Sequence, residues 1–279
     1  MLRDRFTILG TSERKRMNPK RILAASLVAV AAATALAAAA VAAPTAKTIV
    51  FCSDTTYPPM ESLQGGKAVG ADVDIASAVA KVLGDQAQIK VTGFDVIIPA
   101  LLAKKCDAII SAMTDTPARA KQVDFTDYVT VGALLMVKKG NPSKVSTLAS
   151  LSGKSAAVEA ATTEKAGLDV ENKTLAKAGK AQITIKIYPA DTSAAAALLA
   201  GKVDAYFADA TPVLYYIKKT GGKFQIAGKQ IEAAPEGIAT RKGDPLGAQF
   251  KTAVAKIYAN GTMKTILAKW GLSAFALKK

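Results

Sequence analysis

From residue 45 onward, short apolar runs alternate with stretches whose apolar residues recur every three to four positions. The first pattern suits buried strands and the second suits helices with one packed face. Thr48–Cys52, Gln88–Thr92 and Cys106–Ile110 read as strands, separated by helices over Asp72–Leu83 and Ile97–Ala103. Leu134-Leu135-Met136-Val137 reads as a crossing strand, ended by the turn-rich Lys138-Lys139-Gly140-Asn141-Pro142. A second set follows, with strands at Ser155–Val158, Ile183–Tyr188 and Ala205–Phe207 and helices at Thr163–Ala178 and Ser193–Ala200. Glu236–Thr240 crosses back, and helices at Leu246–Tyr258 and Thr262–Lys269 close the chain. This alternation predicts an α/β fold with a largely parallel sheet in each half, flanked by helices. Half a domain, a whole one and the rest of the first make a two-lobed molecule with two hinge crossings. A ligand cleft is expected where strand ends of the two lobes face each other.

The beginning of the chain has another character. Lys20-Arg21 precede an apolar run from Ile22 to Ala43 that closes on Val41-Ala42-Ala43. A basic start, an apolar centre and a small-residue end form a removable export signal over residues 1–43. The run is long enough for a membrane anchor, but its alanine-dominated composition is weakly hydrophobic. Met17-Asn18-Pro19-Lys20-Arg21 is by itself a second complete start for such a signal. No cysteine follows the run closely enough to carry a lipid. Export as a free protein points to a periplasm, and so to a Gram-negative type of cell.

Composition narrows the chemistry. Half of the 279 residues are apolar, enough for one or two packed cores. Without the leader the chain keeps 30 Lys+Arg against 20 Asp+Glu. The lysines are scattered and not interleaved with aromatics, so they read as a solvated surface and no nucleic-acid partner is expected. There is no histidine, which removes the commonest general base and zinc ligand. No metal-spaced cluster, nucleophile elbow or phosphate loop occurs, so neither metal nor cofactor is expected. Cys52 and Cys106 lie on strands expected to be neighbours, one near a strand end and one near a strand start, which leaves a disulfide open.

The segment Cys106-Asp107-Ala108-Ile109-Ile110-Ser111-Ala112-Met113-Thr114-Asp115-Thr116-Pro117-Ala118-Arg119 carries the clearest chemistry. Thr116 and Pro117 read as an N-cap and first helical residue. Arg119 then falls in the first turn, where the helix dipole does not favour a cation. A guanidinium there, beside the free N–H groups of a strand end, makes a forked receptor for a carboxylate or phosphate. Ser111, Ala112 and Thr114 lie at the strand end just before it. Ala161-Thr162-Thr163, between a strand and a helix, offers a second anion seat, and Asp209 follows the last strand of that half. Asp209 reads equally as an N-cap ahead of Thr211-Pro212, and Asp54 as a turn cap. Asp72, Asp74, Asp95, Asp124 and Asp204 read as caps and helix starts.

These features occur with Asp54-Thr55-Thr56-Tyr57-Pro58-Pro59-Met60-Glu61, Gly70-Ala71-Asp72-Val73-Asp74-Ile75, Phe94-Asp95-Val96-Ile97, Val123-Asp124-Phe125-Thr126-Asp127 and Gly201-Lys202-Val203-Asp204 in one order. Together they resemble the extracellular solute-binding proteins of family 3, the amino-acid-binding components of ABC importers. The resemblance covers nearly everything after the leader. It implies a type II, periplasmic-binding-protein-like fold with lobe 1 at 44–133 plus 235–279 and lobe 2 at 134–234. It implies a monomer that binds a free polar or cationic L-amino acid and hands it to a cognate ABC permease. Arg119 would take the ligand carboxylate and Asp209 its ammonium. Ser111, Ala112, Thr114, Thr162 and Thr163 would add polar contacts, and Tyr57 and Phe94 would pack on the side chain. Asp54 or Asp115 lining the pocket would favour arginine or lysine over glutamine. Where Ala161 stands the family often has glycine. A rival reading is a periplasmic enzyme on the same scaffold, such as a cyclohexadienyl dehydratase, with Glu159 or Glu164 as the acid.

Overall fold

A computed structural model describes residues 45–231 and 233–277, and the predicted leader lies outside them. The chain opens with β1 (Thr48–Ser53), followed by a small antiparallel sheet of β2 (Thr56–Tyr57), β3 (Glu61–Gln64) and β4 (Lys67–Val69). Helix α1 (Ala71–Val82), β5 (Gln86–Val91), α2 (Ile97–Leu102), β6 (Ala108–Ile109) and the single turn α3 (Pro117–Ala120) come next. Strand β7 (Val123–Lys138) leads to β8 (Ser155–Glu159), α4 (Thr163–Lys177), β9 (Thr184–Tyr188), α5 (Asp191–Leu199), β10 (Ala205–Asp209), α6 (Ala210–Lys219) and β11 (Phe224–Ala227). Strand β12 (Ala233–Arg241) returns, and α7 (Pro245–Ala259) and α8 (Thr262–Trp270) finish the fold.

The strands run in the order β5-β1-β6-β12-β7-β10-β8-β9, with β11 beside β7. β1 pairs parallel with β5 and β6, and β8 pairs parallel with β9 and β10. The two hinge strands, β7 and β12, run antiparallel to each other and to their neighbours. The result is a two-lobed α/β molecule whose sheet is mixed through the hinge and parallel on either side. Strand β7 is longer than the Leu134–Val137 segment that the apolar run marked. Its first half alternates buried and half-buried positions, which a search for a continuous apolar run passes over.

Two glycines shape what the cleft needs. Gly70, the N-cap of α1, has φ +143°, and a Cβ there would lie 2.0 Å from the Met60 carbonyl oxygen. At Gly237 the β12–β7 register shifts, and a Cβ would meet the Asp127 carboxylate at 2.8 Å. Cys52 and Cys106 form a disulfide with Cα atoms 5.7 Å apart. Cys106 precedes β6 instead of starting it, in a loop clipped across β1 by the Asp107 amide to the Val50 carbonyl and the Val50 amide to the Asp107 carboxylate. That loop brings Cys106 alongside Cys52.

Candidate functional site

The strand ends and helix starts of the two lobes meet in a narrow cleft. All ten residues singled out from the sequence line it: Asp54, Tyr57, Phe94, Ser111, Ala112, Thr114 and Arg119 on one side, Thr162, Thr163 and Asp209 on the other. Glu61, Glu159 and Glu164 join them. Asp115 is not among the lining residues. Its amide donates to the Pro235 carbonyl at the hinge.

Arg119 is placed by its own short helix. Thr116 caps α3 by accepting from the Arg119 amide at 3.2 Å, and Pro117 presets the first turn. The guanidinium donates to the Thr114 carbonyl at 3.0 Å and, across the cleft, to the Ala161 carbonyl at 3.2 Å. It also stacks over the Phe94 ring, 5.3 Å from its centroid. Two of its donors are thus engaged, and the fork keeps others for an anion. Ala161 and Ala112 both adopt left-handed backbone, with φ of 62° and 41°. A Cβ there costs on the order of 1–2 kcal/mol, and such strain clusters at ligand clamps.

Asp209 ends β10 and is the N-cap residue of α6, yet its side chain makes no capping bond. The Tyr57 hydroxyl instead donates to the Asp209 carboxylate at 2.8 Å and accepts from the Asp209 amide at 3.1 Å. Tyr57 therefore ties one lobe to the other through its polar tip. Asp54 does cap its turn, accepting from the Thr56 and Phe94 amides, while still lining the cleft. Thr162 caps α4 by accepting from the Lys165 amide. Ser111 accepts from the Asp54 amide and donates to Glu61 at 2.8 Å.

Behind the cleft, Asp72 is more than a helix start. Its carboxylate accepts from the Ala112 amide at 2.8 Å and the Tyr128 hydroxyl at 2.9 Å, bracing the loop that carries Ser111 and Thr114. Burial pushes Asp72 up to about 6, and burial together with the Asp72 charge pushes Glu61 well above the usual carboxylate range. A proton on Glu61 shared with Asp72 joins the two oxygens of that pair otherwise without partners. Glu164 stands in the same relation to Asp209: burial and the Asp209 charge raise it, so Glu164 keeps the proton and Asp209 the charge. Glu159 is pushed up to about 9, chiefly by burial and then by the Asp54 charge. Glu236, on β12, is buried with neither carboxylate oxygen partnered. These extra acids carry no motif. Glu159 and Glu164 enter the sequence reading only as the acid of the rival enzyme, and nothing there marks Glu61 or Glu236 as buried acids.

A two-lobed α/β fold of this kind is shared with solved amino-acid-binding proteins. The chain belongs to the bacterial extracellular solute-binding proteins, family 3, whose family pattern matches residues 49–273. It is 30% identical to the L-cystine-binding protein TcyJ of Escherichia coli (strain K12) over 80% of this chain and 82% of that one. Among solved structures it resembles an ancestral arginine-binding protein bound to arginine, with TM-score 0.73 and 35% identity over 80% of this chain and 97% of the other. It also resembles the ancestral amino acid-binding protein AncCDT-1, a precursor of cyclohexadienyl dehydratase, with TM-score 0.72 and 30% identity over 80% and 95%.

Proposed function

We propose that this protein is a periplasmic substrate-binding protein that captures a free polar amino acid and delivers it to an ABC importer by hinge closure. The observation that carries the reading is the presence of Arg119 and Asp209 in the lining of one cleft, each contributed by a different lobe. An α-amino acid offers a carboxylate for the guanidinium and an ammonium for the aspartate, and each needs such a partner once water is excluded. A ligand bridging both lobes favours the closed state by its differential contacts, which is how binding becomes a signal to a permease. The predicted leader places the mature chain in the periplasm.

A thermal-shift screen of the mature protein against the common amino acids tests this. A ligand at a hundred times its dissociation constant stabilises by about 2.7 kcal/mol. One observation favours a second reading: Glu159 and Glu164 are carboxyls held in the protonated form, as a dehydratase's general acid would be. Prephenate turnover without stabilisation by any amino acid would move the assignment to that enzyme. Stabilisation by an amino acid without turnover would keep it with transport.

A further inference from the structure

Five carboxylates and one guanidinium line the cleft. A bound α-amino acid is a zwitterion in its common part, so that part adds no net charge. Arg119 meets its carboxylate and Asp209 its ammonium, with Glu164 sharing a proton with Asp209 and Glu61 with Asp72 behind Ser111. Asp54 and Glu159 remain, one from each lobe. They bracket the same residue: the Thr56 amide donates to Asp54 at 3.0 Å, and the Thr56 hydroxyl reaches Glu159 at 3.5 Å. Besides that long contact the Asp191 amide lies against the Glu159 carboxylate, and Glu159 is only 4% exposed. The other charged group beside it is Asp191, at the start of α5, with the Tyr206 and Tyr216 hydroxyls beyond. No lysine or arginine forms an ion pair with Asp54 or Glu159 among the described residues.

We propose that Glu159, acting with Asp54, is the specificity-determining residue of the cleft and selects an amino acid whose side chain ends in a positive charge. This rests on the amino-acid-binding reading above. A guanidinium or ammonium between the two carboxylates supplies a positive charge that no ion pair gives either of them in the protein, where Asp54 accepts from the Thr56 and Phe94 amides. A neutral side chain of the same shape leaves both buried without a counter-charge. With no ligand, Glu159 holds a proton at neutral pH, because burial and the neighbouring Asp54 raise it to about 9. A cationic side chain reverses the local field, so its binding expels that proton.

Titration calorimetry with arginine, lysine, citrulline and cystine tests the assignment. Citrulline keeps the shape of arginine without its charge, and the far end of cystine is a zwitterion that brings no net positive charge to the two acids. Arginine or lysine should bind about a hundredfold more tightly than citrulline, and cystine more weakly than the tighter of the two. Repeating the titration in buffers of different ionisation enthalpy should show proton release with arginine and none with citrulline. Glu159→Gln should lower the arginine-to-citrulline ratio tenfold or more and reduce the protons released. Should that variant not fold, the ratio and proton release of the unaltered protein still decide. Equal binding of arginine and citrulline, or cystine binding most tightly, overturns the role of Glu159 and leaves amino-acid capture standing. Failure of every amino acid to bind brings down the capture reading itself.

Discussion

The outside of this protein and the walls of its cleft carry opposite charge. Apart from Arg119 in the cleft, its excess of lysine and arginine stays at the surface, and none of these residues is fully buried among the described ones. Eight carboxylates are buried: Asp54, Glu61, Asp72, Glu159, Glu164, Asp191, Asp209 and Glu236. The two populations obey different physics. An ammonium left in water loses nothing on folding, whereas an unpaired carboxylate taken out of water costs several kcal/mol. The interior acids therefore do not stabilise the fold. They are held neutral by protons, hydrogen-bonded as at Asp72 and Asp209, or stand ready for a cation, while the surface lysines stay solvated. Steps along this contrast, from the cleft outward, should have progressively smaller effects.

The largest effect is expected at Arg119, the one cation in the cleft. Arg119→Ala leaves a ligand carboxylate buried and unpaired, which weakens binding by about 2–5 kcal/mol, or roughly thirtyfold to several thousandfold. Arg119→Lys should restore only part, because a point charge cannot reproduce the planar fork. Calorimetric affinities of the two variants measure this, and an unchanged affinity for Arg119→Ala would remove it from the site. Next comes Tyr57→Phe. It takes away the hydroxyl that serves both the carboxylate and the amide of Asp209. Leaving those buried groups without a partner costs about 1–3 kcal/mol, a fivefold to 150-fold loss of affinity. If binding is retained, Tyr57 is only a packing aromatic.

The polar face that the family resemblance describes could be read from the sequence because it depends on short local motifs. Thr116-Pro117 with Arg119, Thr162 before α4 and Asp209 after β10 each declare a helix start or strand end, and ligand sites form at such places. The strand and helix order could be read for the same reason. The proton sharing among the buried acids could not, because it is set at long range. Glu61 meets Asp72 through the packing of β3 on α1, and Glu164 meets Asp209 only once α4 and β10 lie side by side. A glutamate followed by polar residues looks the same whether it faces water or another carboxylate. The Cys52–Cys106 bridge stays open in the sequence for a related reason, since it depends on a loop turning across β1 and not on strand register.

The titration of the ligand-free protein separates the two populations without mutation. Burial raises Glu159 to about 9, Asp191 to about 7 and Asp72 to about 6. In the unfolded chain these groups titrate near 4. Between those limits the folded state binds more protons than the unfolded one, so stability falls as pH rises. The ligand-free melting temperature should therefore be higher near pH 5 than near pH 8. The ordinary acid-destabilised trend over that window would mean that the buried carboxylates are compensated in the folded state, and the contrast with the surface would disappear.

The smallest effect belongs to the exterior. Lys242 pairs with Asp124 at 2.9 Å, with about half of the lysine side chain exposed, and the Gly243 amide already donates to the same carboxylate. The backbone bond is the larger of the two influences holding Asp124 below its ordinary value. Losing Lys242 thus leaves Asp124 solvated and hydrogen-bonded, and water replaces the ammonium at almost no cost. Lys242→Gln should change the unfolding free energy by less than about 0.5 kcal/mol, the range of exposed pairs, and leave ligand affinity untouched. Denaturant unfolding with parallel calorimetry measures both. A loss of 2 kcal/mol or more would show that surface charge helps to hold this fold together, and the separation between a solvating exterior and a ligand-directed interior would fail from the outside.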